Sequence, residues 1–149
     1  MMVTDQYVDT VMARFRYARA GTGAPVLLLP GSGGWRLTFH TMATVLAERH
    51  TVLALDPPGQ GLTEVLDPGF GYDADAIARS IAAFLDAVGL QRTAMVGHSW
   101  GGGFALRFAE RYPEESPGWL CWHLVGWTSR TSGSSACCGC RSSVSSRCG

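Results

Sequence analysis

Ala94-Met95-Val96-Gly97-His98-Ser99-Trp100-Gly101-Gly102-Gly103 decides how this chain reads. A short apolar run enters a Gly-x-Ser-x-Gly turn, and a helical pattern from Gly102 to Arg111 leaves it, ending before Pro113. A serine on so sharp a strand-to-helix turn has strained backbone angles, and the residues two positions either side must lack a Cβ to avoid collision. The turn lifts the hydroxyl clear of the sheet edge. It also sets the hydroxyl beside a helix N-terminus, whose free N–H groups and positive dipole end favour developing negative charge. Five residues of this kind also occur in ordinary Gly-rich turns; the strand before and the helix after give the pattern its weight.

Upstream of the turn, strands alternate with helices. Arg14 to Ala20 alternates around Phe15 and Tyr17 and reads as a half-exposed strand ending at Gly21-Thr22-Gly23. Val26 to Leu29, Thr51 to Leu55 and Thr93 to Val96 are short, continuously apolar runs of the buried parallel type. Thr38 to Glu48 and Asp73 to Val88 space their apolar residues helically, with Gly89 a stop for the second. The expected class is α/β, a mostly parallel sheet with helices on both faces and right-handed crossovers. Ligands of such sheets bind beyond the carboxyl ends of the strands. Three loops leave those ends: Pro30–Trp35, Asp56–Gly61 and Gly97–Gly101.

From Arg14 to Glu114 the chain resembles the α/β-hydrolase family. The likeness rests on the strand pair with its Gly turn, on Leu27-Leu28-Leu29-Pro30-Gly31-Ser32-Gly33-Gly34, on Leu55-Asp56-Pro57-Pro58-Gly59-Gln60-Gly61, and on the Ser99 turn. The resemblance implies the N-terminal portion of that fold, incomplete at its C-terminus. It implies Ser99 as nucleophile, the backbone N–H groups of Trp100 and Ser32 as oxyanion donors, and no cofactor. Where the family often opens the first loop with His-Gly, this chain has Pro30-Gly31, a change that leaves the backbone donors in place. A serine at the turn resembles the family's esterases, lipases, peptidases and C–C bond hydrolases. Its epoxide hydrolases and haloalkane dehalogenases use aspartate there.

Other residues carry competing readings. Ser32 sits in a loop that could be a plain connector; a phosphate cradle would need Gly-Lys-Ser/Thr, and the chain contains no lysine. Asp56, at a strand end, is either a catalytic carboxylate or a side chain that fixes its turn by accepting nearby N–H groups, and the second is expected. His98 adjoins the nucleophile, but its place on the strained turn aims the ring away, so it is read as a packing residue. His40 and His50 are read as surface or core residues. A serine nucleophile needs a base and an orienting carboxylate, which follow it in the chain order Ser, acid, His. The only acids after Ser99 are Glu110, Glu114 and Glu115, and the only later histidine is His123. No acid–His pair is identifiable.

The 149 residues suit one domain, and twelve Lys+Arg against twelve Asp+Glu leave no net charge. That balance argues against nucleic-acid or acidic-membrane partners. No apolar run approaches the ~20 residues of a membrane span, and no basic-then-apolar leader opens the chain. A cytoplasmic protein with a small-molecule substrate and no metal is expected. Composition divides the chain into a partial domain, 1–115, and an aberrant or disordered tail, 116–149. No acid follows Glu115, and all five cysteines, Cys121, Cys137, Cys138, Cys140 and Cys148, lie in the tail. Their spacing fits no zinc motif, and a disulfide framework would need an oxidising compartment. A shift of reading frame is the preferred account. Trp119-Leu120-Cys121-Trp122-His123, read one base earlier, must encode Leu/Val/Met, Ala/Val, Leu/Val/Met, Leu and Ala, a buried strand. The chain as it stands is then either an inactive piece of a serine hydrolase or a non-catalytic binding module.

Overall fold

A computed structural model describes residues 5–116 and the backbone of Trp119–Trp122. Cys137, Cys138, Cys140, Cys148 and His123 lie outside the described residues, and of Cys121 only the backbone is described. The strands are β1 (Asp5–Asp9), β2 (Ala13–Ala20), β3 (Ala24–Leu29), β4 (His50–Leu55), β5 (Glu64–Val65), β6 (Ala94–His98) and β7 (Trp119–Trp122). The helices are α1 (His40–Leu46), entered through a 3₁₀ turn at Arg36–Phe39, α2 (Ala74–Ala87) and α3 (Trp100–Arg111). All the strands join one sheet in the order β1-β2-β4-β3-β6-β7, with β5 beside β2. β4, β3, β6 and β7 run parallel; β1, β2 and β5 pair antiparallel. The sheet is thus mixed and mostly parallel, as the alternation of elements requires. β7 falls within the stretch that composition sets apart.

Strand alternation sends side chains to two cores. Leu27, Leu29, Leu53, Leu55 and Met95 share one face with Phe15 and Tyr17, under α2 and α3. Val26, Leu28, Val52 and Ala54 share the other with Phe39, under α1. At the centre of the larger core the Phe84 ring lies 5.3 Å from Phe15 and 5.2 Å, edge-on, from Tyr17. α2 follows its sequence pattern. Asp73 caps it by accepting the Ala76 N–H at 2.8 Å; Ile77, Ile81, Phe84 and Leu85 are buried; Gly89, at φ +73°, takes the left-handed conformation that ends it.

Two expectations need correction. β2 is not half-exposed: it sits between β1 and β4, and Arg16 and Ala18, on the face opposite Phe15 and Tyr17, are buried as well. The helix expected over 38–48 is shorter, because no side chain caps its start, no acid lies in its first turn, and three of its seven residues are β-branched.

α2 and α3 are tied by Asp75, which receives two parallel bonds from Arg107, at 3.0 and 2.9 Å, and one from Arg111 at 3.1 Å. The Arg107 hydrogen bonds hold the Asp75 carboxyl below its ordinary value of 3.8, against the pull of partial burial. Its folded value lies below its unfolded one, so the stabilisation is present above the unfolded value and lost as pH falls through the folded one. Asp75→Asn is therefore expected to lower the urea midpoint at neutral pH and to match the parent chain in strongly acidic buffer. An equal deficit at both pH values would contradict this.

Candidate active site

The site begins with a backbone that only certain residues permit. β6 ends at His98, α3 starts at Trp100, and Ser99 between them has φ +53° and ψ −118°. It is one of two non-glycine residues with positive φ among the described residues, the other being Tyr72. The Ser99 carbonyl accepts the N–H groups of Gly102 and Gly103, at 3.0 and 3.2 Å, which locks the turn into the first turn of α3. A Cβ on Gly97 would lie 2.4 Å from the Gly101 carbonyl oxygen, and one on Gly101 would lie 2.0 Å from that of Leu29. Both flanking glycines are thus required by close backbone approach, as the Gly-x-Ser-x-Gly spacing implies.

The Pro30–Trp35 loop crosses beside this turn. A Cβ on Gly31 would stand 3.1 Å from the Ser99 Cβ. Gly31 to Gly34 close a β-turn, with Gly34 N–H bonding the Gly31 carbonyl at 2.9 Å and Gly33 at φ +72°. That bond does not use the N–H of Ser32, an exposed residue. Trp100, the first residue of α3, has an N–H with no intrahelical acceptor and is 57% exposed as a residue.

His98 alternates with Gly97 and so shares the α1 face with Ala94 and Val96. There it helps to line an open apolar cavity of about 630 Å³ with Phe39, Met42 and Leu46. Of the acids that follow Ser99, Glu110 is bound by Arg107 at 3.1 Å, nearly three turns or about 15 Å along α3. The Glu115 carbonyl accepts the Thr93 N–H at 2.9 Å, at the opposite end of β6 from Ser99. Burial, and then the charge of Asp86, push its carboxyl above the ordinary range. Among the described residues no acid after Ser99 lies at the turn.

Asp56 fixes its turn, as expected, and does more. Fully buried, it accepts the N–H groups of Leu62 at 3.0 Å and Arg36 at 2.6 Å, and pairs with Arg16 at 3.4 Å. Arg16 and Arg36 both reach Asp5, and the Arg16 guanidinium stands 5.6 Å over the Trp35 ring. Burial works against the charge on Arg16, but the Asp5 hydrogen bond and the charges of Asp5 and Asp56 outweigh it and raise its pKa. Sequence reasoning missed this network, because Arg16 on an alternating strand looks like a solvent-facing residue. Only the antiparallel pairing of β2 with β4, which sets Tyr17 opposite Leu55, brings Arg16 beside the strand-end Asp56, and no local pattern marks that pairing.

A family model for the α/β-hydrolase fold matches residues 24–116, and the chain belongs to that family. It is 32% identical over 126 residues to haloalkane dehalogenase 2 of Mycobacterium tuberculosis, covering 85% of this chain and 44% of that protein. It is 35% identical over 104 residues to the 2-hydroxy-6-oxo-6-phenylhexa-2,4-dienoate hydrolase of Comamonas testosteroni, covering 66% of this chain and 35% of that one. A solved structure from Pseudomonas aeruginosa, assigned as an epoxide hydrolase, superposes with a TM-score of 0.77 at 32% identity, over 80% of this chain and 40% of that one. The chain thus spans less than half the length of the relatives it matches. Among the described residues no helix is long and apolar enough to cross a membrane.

Proposed function

We propose that Ser99 is the nucleophile of an acyl-transfer hydrolase acting on an ester, an amide or an activated C–C bond of a small molecule. The observation that carries this reading is the left-handed Ser99 between two glycines that backbone contacts forbid to any other residue. Ser99 Oγ bonds to the acyl carbon and the carbonyl oxygen becomes an oxyanion, received by the N–H groups of Trp100 and Ser32. Collapse breaks the bond to the leaving group, and water then releases the acyl group from Ser99. A serine separates this chemistry from that of relatives with an aspartate nucleophile. The Ser99 proton needs a base, and no histidine–acid pair stands at the turn among the described residues. The described residues therefore supply the nucleophile and oxyanion donors, and hydrolysis by these groups alone is expected at the residual level those donors support.

A phosphonofluoridate tests the assignment. Attack forms an Oγ–P bond and expels fluoride, with the proton passing to solvent. After long exposure to excess reagent, the adduct is expected on the tryptic peptide Thr93–Arg107 and absent from Ser99→Ala. Adducts spread over other serines, or none on that peptide, would sink the reading.

We further infer that residues after 116 are read from a shifted frame. The family match ends at 116, acids end at Glu115, and β7 lies parallel to β6, where the shifted codons give an apolar strand. The coding DNA decides: another frame open for ~100 residues, with an acid and then a histidine, is expected. Early stops in the other frames would refute it.

A further inference from the structure

Asp56 is placed to do more than close its own turn. Its Oδ2 accepts the Leu62 N–H at 3.0 Å, which completes the loop after β4, and Gly61 leaves room for the carboxylate because a Cβ there would lie 2.0 Å from Oδ2. Its Oδ1 serves a different loop. It accepts the N–H of Arg36, twenty residues earlier, at 2.6 Å. Arg36 opens the 3₁₀ turn that ends the Pro30–Trp35 loop, so β3 holds one end of that loop and Asp56 the other. Between the two anchors lie Gly31, packed against Ser99, and Ser32. A fully buried carboxylate is costly unless paired and hydrogen-bonded. The chain maintains this one with Arg16, itself 6% exposed and shared with Asp5.

We propose that Asp56 is a positioning residue for the oxyanion loop, and that its bond to the Arg36 N–H sets the place of the Ser32 N–H relative to Ser99. This rests on the oxyanion role proposed for Ser32.

The test uses a Ser99→Cys background, because a thiol needs no base to react. An activated ester, p-nitrophenyl acetate, acylates the thiolate: a C–S bond forms, the C–O bond breaks, p-nitrophenolate leaves, and an oxyanion develops on the way. Iodoacetamide alkylates the same thiolate with loss of iodide and develops no oxyanion. Both rates are followed on the Thr93–Arg107 peptide, so the tail cysteines do not count. Arg36→Ala keeps the backbone N–H; Arg36→Pro removes it and leaves Asp56 in place. Proline suits this position, since it is favoured at the first helical residue and Trp35 before it is extended, at φ −147° and ψ 177°.

Acylation of the Arg36→Pro variant is expected to be about tenfold slower than that of Arg36→Ala, in keeping with the cost of misplacing one group, while alkylation is unchanged. Equal acylation in the two variants would overturn the proposal, and so would acylation and alkylation falling together, which would mean that the turn itself had moved. Failure of the underlying reading looks different. The background variant would then show no acylation advantage over a free thiol before any change at Arg36.

Discussion

Gly101→Ala is expected to cost the chain about 3 kcal/mol of stability and to remove the reactivity of the Ser99 turn. The new Cβ would lie 2.0 Å from the Leu29 carbonyl oxygen and 2.6 Å from that of Pro30. Neither is a side chain that can swing aside. Leu29 ends β3, which is hydrogen-bonded to β4 on one side and β6 on the other, so moving its carbonyl disturbs the middle of the sheet. The alternative is for α3 to back away from β3, which withdraws the helix N-terminus and the Trp100 N–H from Ser99. Gly33→Ala is the control. Its Cβ would meet nothing within 4 Å, so only the left-handed φ of +72° opposes it, at about 1 kcal/mol. Denaturant midpoints of the two variants check this directly. A Gly101→Ala chain as stable as Gly33→Ala would mean that the close approach of α3 to β3 is not what holds the turn.

Where a constraint is local, the sequence discloses it. The Ser99 turn is legible because Gly97 and Gly101 stand at fixed spacing around the serine, although only the Gly97 contact, with Gly101, is local, and Gly101 answers the distant carbonyls of Leu29 and Pro30. α2 is legible because Asp73, the spacing of Ile77, Ile81 and Phe84, and Gly89 state its start, face and stop in one segment. Constraints between distant residues are not legible in this way. β1, with Asp5 and Asp9 at its ends, carries no strand signal of its own in the sequence reading, and it pairs with β2 along its length from Asp5 opposite Ala18 to Asp9 opposite Arg14. Its value lies in Asp5, which meets Arg16 and Arg36, and no spacing in sequence announces that meeting. Asp56 was legible by half. Its bond to Leu62 lies within its own turn, whereas its bond to Arg36 joins two loops that only the parallel pairing of β3 and β4 brings together.

The second large effect concerns the chemistry and bears on the central proposal, that the Ser99 turn is an acyl-transfer site whose oxyanion donors act even with no histidine–acid pair at the turn among the described residues. Ser99→Cys tests the donors apart from that pair. At a helix N-terminus the thiol pKa falls below its usual value, so part of it is thiolate at neutral pH without a partner histidine. The measurement is the rate of acylation by p-nitrophenyl acetate divided by the rate of alkylation by iodoacetamide, compared with the same ratio for N-acetylcysteine. The division cancels thiolate fraction and access, and leaves what the Trp100 and Ser32 N–H groups do for the oxyanion. A ratio about 100-fold above that of the free thiol is the predicted result, the scale of one well-placed oxyanion donor. A ratio equal to that of N-acetylcysteine would contradict the account, leaving Ser99 a strained serine in a fold of this family with no hydrolytic role.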